Sequence, residues 1–221
     1  MFTRIARRYD LMNSLMTGGR HHAWRAAVAR AAAEAPPGPA LDLATGTADL
    51  ALALRALAPG RTVVGADFAE GMLAEARAKL AARRATRVPL LAADALALPF
   101  RDGTFACVMS AFLLRNLEDL ARGLAEMRRV TRPGGRVLAL DIVRPDVPVW
   151  GAVFGLYFHR VVPAVGALVA RDRRAYTYLP QSVDRFATPA ELARLMETAG
   201  LRDVSYRRYG LGTIALHTGV A

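Results

Sequence analysis

The stretch Ala40-Leu41-Asp42-Leu43-Ala44-Thr45-Gly46-Thr47-Ala48-Asp49 changes its period in the middle. Ala40 to Ala44 is a short apolar run of strand length. From Asp49 onward, apolar residues return every three or four positions, which is helical spacing, until Pro59-Gly60 ends it. The turn between them is built of small residues. Small residues let the backbone approach a ligand closely, and the helix start offers free N–H groups. Only Gly46 remains of the three glycines in a dinucleotide fingerprint, so this turn alone reads equally as a packing turn or a ligand loop.

The same alternation extends in both directions. Residues 2–34 read as helical, and Pro36-Pro37-Gly38-Pro39 stops them. Residues 62–66 read as a strand, 70–84 as a helix, 88–92 and 105–112 as strands, and 117–130 as a helix. Pro133-Gly134-Gly135 reads as a turn into a strand over 136–142. A helix over 189–199 closes at Gly200, and 204–209 with 213–219 form a final antiparallel hairpin. Repeated strand–helix alternation predicts an α/β fold, a parallel sheet with helices on both faces. Ligands in such sheets bind beyond the carboxyl ends of the strands.

The 221 residues fit one domain, 1–221, with 53% hydrophobic and 22% charged residues. Cys107 is the single cysteine, which excludes an intrachain disulfide, and no cysteine–histidine cluster has zinc spacing, so no zinc site is expected. Arg4, Arg7, Arg8 and Asp10 argue against a signal peptide, and the chain reads as cytoplasmic. It opens on its first motif, which leaves room for an extension ahead of it. The net charge is +11, and Lys79 is the single lysine among 30 basic residues. The arginines are scattered and form no stripe, so a compositional bias or attraction to an anionic membrane fits better than nucleic acid. Residues 149–170 are the most apolar stretch, but His159-Arg160 at their centre, with Pro163 and three glycines, argue against a membrane span. The low content of labile residues, with Asn13, Asn116 and Gln181 the only amides, predicts a melting midpoint above the ordinary range of about 45–65 °C in a thermal scan.

Three strand ends carry candidate ligand groups. The first is Asp42 with Gly46 and Thr47. The second is Asp67-Phe68, twenty-one residues after Gly46, where a carboxylate can accept from both hydroxyls of a ribose; a helix N-cap is the plain alternative. The third is Asp94-Ala95, an acceptor for an adenine amino group or a solvated loop. Together they suggest a nucleoside site, which a nicotinamide dehydrogenase would share.

These motifs resemble those of Rossmann-like methyltransferases. Tyr9-Asp10-Leu11-Met12-Asn13 followed by His21 and Trp24, Leu114-Arg115-Asn116, Arg129-Val130-Thr131-Arg132-Pro133-Gly134-Gly135 and Tyr176-Thr177-Tyr178-Leu179-Pro180-Gln181-Ser182 resemble the menaquinone/ubiquinone C-methyltransferase family. The resemblance implies a mostly parallel seven-stranded sheet, a helical amino-terminal segment (1–35) and a helical substrate cover (146–188). It implies S-adenosylmethionine as methyl donor, no metal, and a polyprenyl quinol as acceptor, most of all demethylmenaquinol. A ubiquinone precursor, another phenol, a phospholipid amine and an inactive cofactor-binding module are the alternatives. Transient contact with the inner face of the membrane follows from a bilayer substrate, and the oligomeric state stays open.

Under this resemblance Tyr9, Asp42, Gly46, Thr47, Asp67, Phe68, Asp94, Ala95 and Ser110 are the donor-site candidates. Arg115 is expected to stabilise a phenolate, Asn116 to orient the ring oxygen, and Asp141 to pair with Arg115 or take the proton. The plain alternative is that Arg115 and Asn116 cap a helix starting near Leu117. His21, and less so His22, are further base candidates, and Tyr176 and Tyr178 are candidate pocket walls. Ala48 and Leu113 stand where the family usually has glycine, and Thr17 where it usually has serine.

Overall fold

In the computed structural model, residues 10, 13–85, 88–144 and 182–221 are described. The sites at Tyr9, His159, Arg160, Tyr176 and Tyr178, and most of the 146–188 segment, lie outside them. The described elements are α1 (Arg20–Ala33), β1 (Ala40–Leu43), α2 (Asp49–Leu57), β2 (Val63–Asp67), α3 (Glu70–Ala82), β3 (Leu90–Ala92), β4 (Phe105–Ala111), α4 (Leu120–Val130), β5 (Thr131–Ile142), α5 (Pro189–Thr198), β6 (Arg202–Tyr209) and β7 (Ile214–Val220). A short 3₁₀ turn, Leu114–Asn116, follows β4.

The strands form one seven-stranded sheet in the order β3-β2-β1-β4-β5-β7-β6. Every pair from β3 to β5 is parallel, and β7 runs antiparallel to both β5 and β6. The order reverses between β1 and β4, which opens a crevice at their carboxyl ends. Two apolar clusters fill the two faces. Val28, Ala29, Ala51, Leu54, Ala76 and Leu80 pack α1, α2 and α3 on one side; Leu124, Met127, Leu192 and Met196 pack α4 and α5 on the other.

The differences from the sequence reading have local causes. The 2–34 helix is interrupted at Gly18-Gly19, both at positive φ, and α1 begins after them. Its buried residues, His21, Trp24, Arg25, Val28, Ala29 and Ala32, follow the helical period. Pro133-Gly134-Gly135 is not a turn ahead of β5 but a bulge inside it: Phe105 pairs with Thr131 and Cys107 with Arg136. A Cβ on Gly135 would lie 2.9 Å from the Ala106 carbonyl oxygen, so only glycine lets the strands close there. The helix expected near Leu117 begins at Leu120, where the Asp119 side chain accepts from the Arg122 N–H at 2.9 Å. Arg115 and Asn116 are therefore not its caps. α5 has a full capping box, Thr188 with Glu191, and proline at its first turn.

Candidate active site

The donor-loop candidates sit where β1 gives way to α2. Asp42 is buried; its Oδ2 accepts from the Thr45 hydroxyl at 2.7 Å and the Ala51 N–H at 3.0 Å, bracing the turn between strand and helix. Ala44, Gly46 and Ala48 all have positive φ. Ala48, at φ 66 and fully buried, shows why glycine suits that place, since a Cβ in the left-handed region costs about 1–2 kcal/mol. A Cβ on Gly46 would meet nothing within 4 Å, so the loop leaves open space there. Gly46→Ala is thus expected to fold, with a loss of about 1–2 kcal/mol from φ alone. Its donor affinity in calorimetry should fall more than its stability does; equal small losses would remove Gly46 from the site.

Burial pushes the Asp42 carboxyl up to about 7, against the pull of Thr45 and Ala51. Its folded pKa lies above the unfolded value, so the native state holds the proton longer. The contribution of Asp42 to stability is full below about pH 4 and is lost as pH rises to about 7. Between those limits it falls by about 1.4 kcal/mol for each step of one in pH. Asp42→Asn should remove that slope. Denaturant unfolding of both proteins at pH 4, 5.5 and 7 tests it; a difference independent of pH would contradict it.

Asp67 ends β2 and reaches back to the same loop. Its Oδ2 accepts from the Gly46 N–H and its Oδ1 from the Ala69 N–H, both at 2.8 Å. Burial raises its pKa in spite of these bonds. Ala69, not Asp67, is the cap residue of α3. Phe68 beside it is 79% exposed, an aromatic face with no protein cover. Asp94 lies beyond the neighbouring β3, exposed, with Oδ1 accepting from the Leu96 N–H at 2.8 Å; Ala95 is buried in the core. Arg129 fixes this loop by donating to the Leu98 and Phe100 carbonyls at 3.0 and 2.8 Å. Ser110, near the end of β4, is 1% exposed and its Oγ has no partner.

The second cluster lies on the adjacent strand ends. Arg115 Nη1 donates to Asp141 Oδ1 at 2.6 Å, and the Arg115 N–H to Oδ2 at 3.2 Å. Asp141 also accepts from the Ile142 N–H at 2.8 Å and is fully buried. This holds the guanidinium in one orientation. Its Nε is buried without a partner among the described residues. Asn116 donates from Nδ2 to the Phe112 carbonyl at 2.9 Å, and its Oδ1 is likewise buried and unpaired. An orphan donor and an orphan acceptor on consecutive residues can together grip a hydroxyl, and the donor alone can hold its anion. Arg115 also lines an open cleft of about 840 Å³ with Leu114, Leu117, Phe186 and Leu195.

His21 is buried on α1 with both ring nitrogens engaged. Arg25 donates to Nδ1, so Nε2 carries the proton and meets Ser14 Oγ at 3.0 Å. Burial, then the nearby Arg25 and His22 charges, lowers its pKa to about 4. The sequence reading passed over several groups found here. The Arg25 and Arg115 guanidinium carbons lie 5.5 and 5.7 Å from the centre of the Phe112 ring. Phe112 itself has φ 66, a strained conformation for a side chain of its size. Asp10 and Lys79 meet at Thr47. No period or spacing flags Phe112 or Lys79; Arg25 falls on the same helical stripe as His21, Val28 and Ala32, which is the one pattern that points to it.

Comparisons with known proteins agree with this architecture. The sequence profile of the ubiE/COQ5 methyltransferase family matches residues 1–221. The demethylmenaquinone methyltransferase of Thermus thermophilus is 47% identical over 219 residues, covering 99% of each chain. A ubiquinone/menaquinone biosynthesis C-methyltransferase of Methylobacterium nodulans is 42% identical, covering 99% of this chain and 88% of that protein. Among solved structures, a SAM-dependent methyltransferase of Thermotoga maritima superposes with a TM-score of 0.69 at 19% identity, covering 99% of this chain and 97% of the other. The match along the whole length removes the dehydrogenase reading. The chain belongs to the ubiE/COQ5 methyltransferase family, and S-adenosylmethionine is its methyl donor.

Proposed function

We propose that this enzyme methylates a ring carbon of a polyprenyl quinol, with demethylmenaquinol as its main acceptor. The observation that carries the acceptor site is the adjacent pair of buried groups, Arg115 Nε and Asn116 Oδ1, which have no partner among the described residues; Arg115 also lines a cleft of about 840 Å³ whose walls mix apolar side chains (Leu114, Leu117, Phe186, Leu195) with charged ones (Glu118, Arg144, Arg194). A ring with one ionisable hydroxyl and a long apolar tail is the chemistry such a cleft suits. The relatives named demethylmenaquinone methyltransferase support the same choice.

The donor site is assigned to Asp42, Gly46, Thr47, Asp67, Phe68, Asp94, Ala95 and Ser110, with Tyr9 a further candidate. The residues fit: the backbone at Gly46 borders open space, Ser110 Oγ is a buried polar atom without a partner among the described residues, and Phe68 is a largely exposed ring. Asp67 accepts the ribose hydroxyls with its remaining lone pairs. S-adenosylmethionine supplies an electrophilic methyl on its sulfonium.

The chain's own residues make the acceptor reactive. Arg115 stays cationic and holds the quinol oxygen as it loses its proton, so that negative charge spreads to the neighbouring ring carbon. Asn116 Oδ1 fixes the direction of the ring hydroxyl. Asp141, already engaged by Arg115 and two backbone N–H groups, positions the guanidinium. His21 positions Arg25, since neither ring nitrogen is left for proton transfer. The hydroxyl proton and the later ring proton leave through water.

Asp67→Ala tests the donor assignment. Donor affinity by calorimetry is expected to fall by about 1–3 kcal/mol, because hydroxyls buried on binding lose their acceptor; unchanged affinity would remove Asp67 from the site.

The acceptor lives in the bilayer, so the enzyme is assigned to the membrane surface as a peripheral protein. No helix among the described residues is long and apolar enough to cross a membrane. Residues 149–170 are the proposed contact, helped by the charge of +11. Flotation with anionic vesicles at low and high salt tests this: binding should weaken with salt, and no binding at low salt would contradict it.

A further inference from the structure

We propose that Lys79 is a positioning residue that ties Asp10 to the donor loop and so holds that loop in place; this rests on the donor-site reading above. Three segments distant in sequence, those of Asp10, of Thr47 with Asp49, and of Lys79 itself, meet at one ammonium group. Lys79 Nζ, in the last turn of α3, donates to Asp10 Oδ2, to Thr47 Oγ1 at 2.8 Å and to Asp49 Oδ1 at 2.8 Å. Thr47 in turn donates its hydroxyl to Asp10 Oδ1 at 2.9 Å. Asp49 stands in the first turn of α2, and Thr47 in the loop just before it.

The chemistry of the group fits this place. An ammonium has three N–H donors pointing in three directions, and here each has its own acceptor. A guanidinium is a longer planar fork and cannot reproduce that pattern. The sequence uses arginine for every other of its 30 basic residues, yet keeps lysine here. The Lys79 and Asp49 side chains are 20% and 16% exposed, and that of Asp10 is 38% exposed. Burial would raise the Asp49 pKa, but the Lys79 bond and charge outweigh it and hold the carboxyl below its ordinary value.

Removing Lys79 leaves Asp10 and Asp49 facing each other as like charges, so the latch changes from attraction to repulsion. Thr47 then loses its Lys79 donor, and the Asp10 acceptor is pushed away from it. Since that hydroxyl accepts from Lys79 and donates to Asp10, Thr47 serves the donor through its backbone, and its position depends on the latch.

The test uses the full chain with Lys79→Cys, Asp10→Asn and the double variant, and the Lys79→Cys protein after alkylation with 2-bromoethylamine. That reagent restores an ammonium at residue 79. Cys107 should not react, because it is fully buried and its thiol is pushed up to about 12. Each single variant is expected to raise the KM for S-adenosylmethionine at least tenfold and to lower kcat by a smaller factor. The double variant should be no worse than the poorer single one, and alkylation should recover most of the lost affinity. A KM change under threefold, effects that multiply in the double variant, or no recovery on alkylation would overturn the proposal. Asp67→Ala serves as the control. If it too binds the donor normally, the donor-site reading has failed; if it loses affinity while the Lys79 variants do not, the latch alone has failed.

Discussion

Arg115→Ala is expected to lower kcat/KM by about 10²–10³-fold, the usual loss when a donor to a developing oxyanion is removed. Arg115→Lys should be nearly as damaging. The wild-type guanidinium commits Nη1 to Asp141 and keeps Nε free, a division set by its planar fork. An ammonium held by Asp141 has no rigid second donor aimed along a fixed direction. Donor affinity should change little in either variant, because Arg115 belongs to the acceptor side. Turnover of labelled methyl into a quinol, with donor binding measured separately, checks both statements. A lysine variant with near-normal turnover would remove Arg115 from this role.

Asp141→Ala should cost about 3–5 kcal/mol of stability, the typical penalty for breaking a buried ion pair from one side. Asp141 is fully buried and the Arg115 side chain is 8% exposed, so the orphaned guanidinium cannot reach much water. Two backbone N–H groups, of Arg115 and Ile142, lose their acceptor as well. The effect should appear as a lower denaturant midpoint without a change in slope. Asp141→Asn should recover part of the loss, because it keeps an oxygen for one of those N–H groups. A loss under about 1 kcal/mol for Asp141→Ala, well below the usual cost of such a break, would mean that the pair is not holding the end of β5.

The chain announces its periods and its breaks, and those are local properties. Apolar runs of strand length, helical spacing after Asp49, and the prolines and glycines between them gave the alternation, and with it the parallel sheet and the final hairpin. The strand-end residues Asp42, Gly46, Asp67 and Asp94 were legible for the same reason, since a parallel sheet puts every loop of one kind at one edge. The beginning of α4 was not, because Leu117 continues an apolar pattern while Asp119 supplies the cap. The bulge at Pro133-Gly134-Gly135 was not, because the sequence shows a break but not which strand closes over it.

What only the tertiary structure decided is which side chains meet. Lys79 lies 69 residues from Asp10 and 32 from Thr47, and Arg115 lies 26 from Asp141. Arg25 and Arg115 share the ring of Phe112 from different elements. Such pairings depend on strand order and on which face each helix covers, and no propensity or period encodes a partner so far along the chain. The sequence thus carried the location of the candidate groups, at the carboxyl ends of β1 to β5. The occupancy of each group there was set by packing: both His21 ring nitrogens are engaged and Asp141 is committed to Arg115, while Arg115 Nε and Asn116 Oδ1 have no partner among the described residues, because a hydrogen-bond partner must be brought there by the fold.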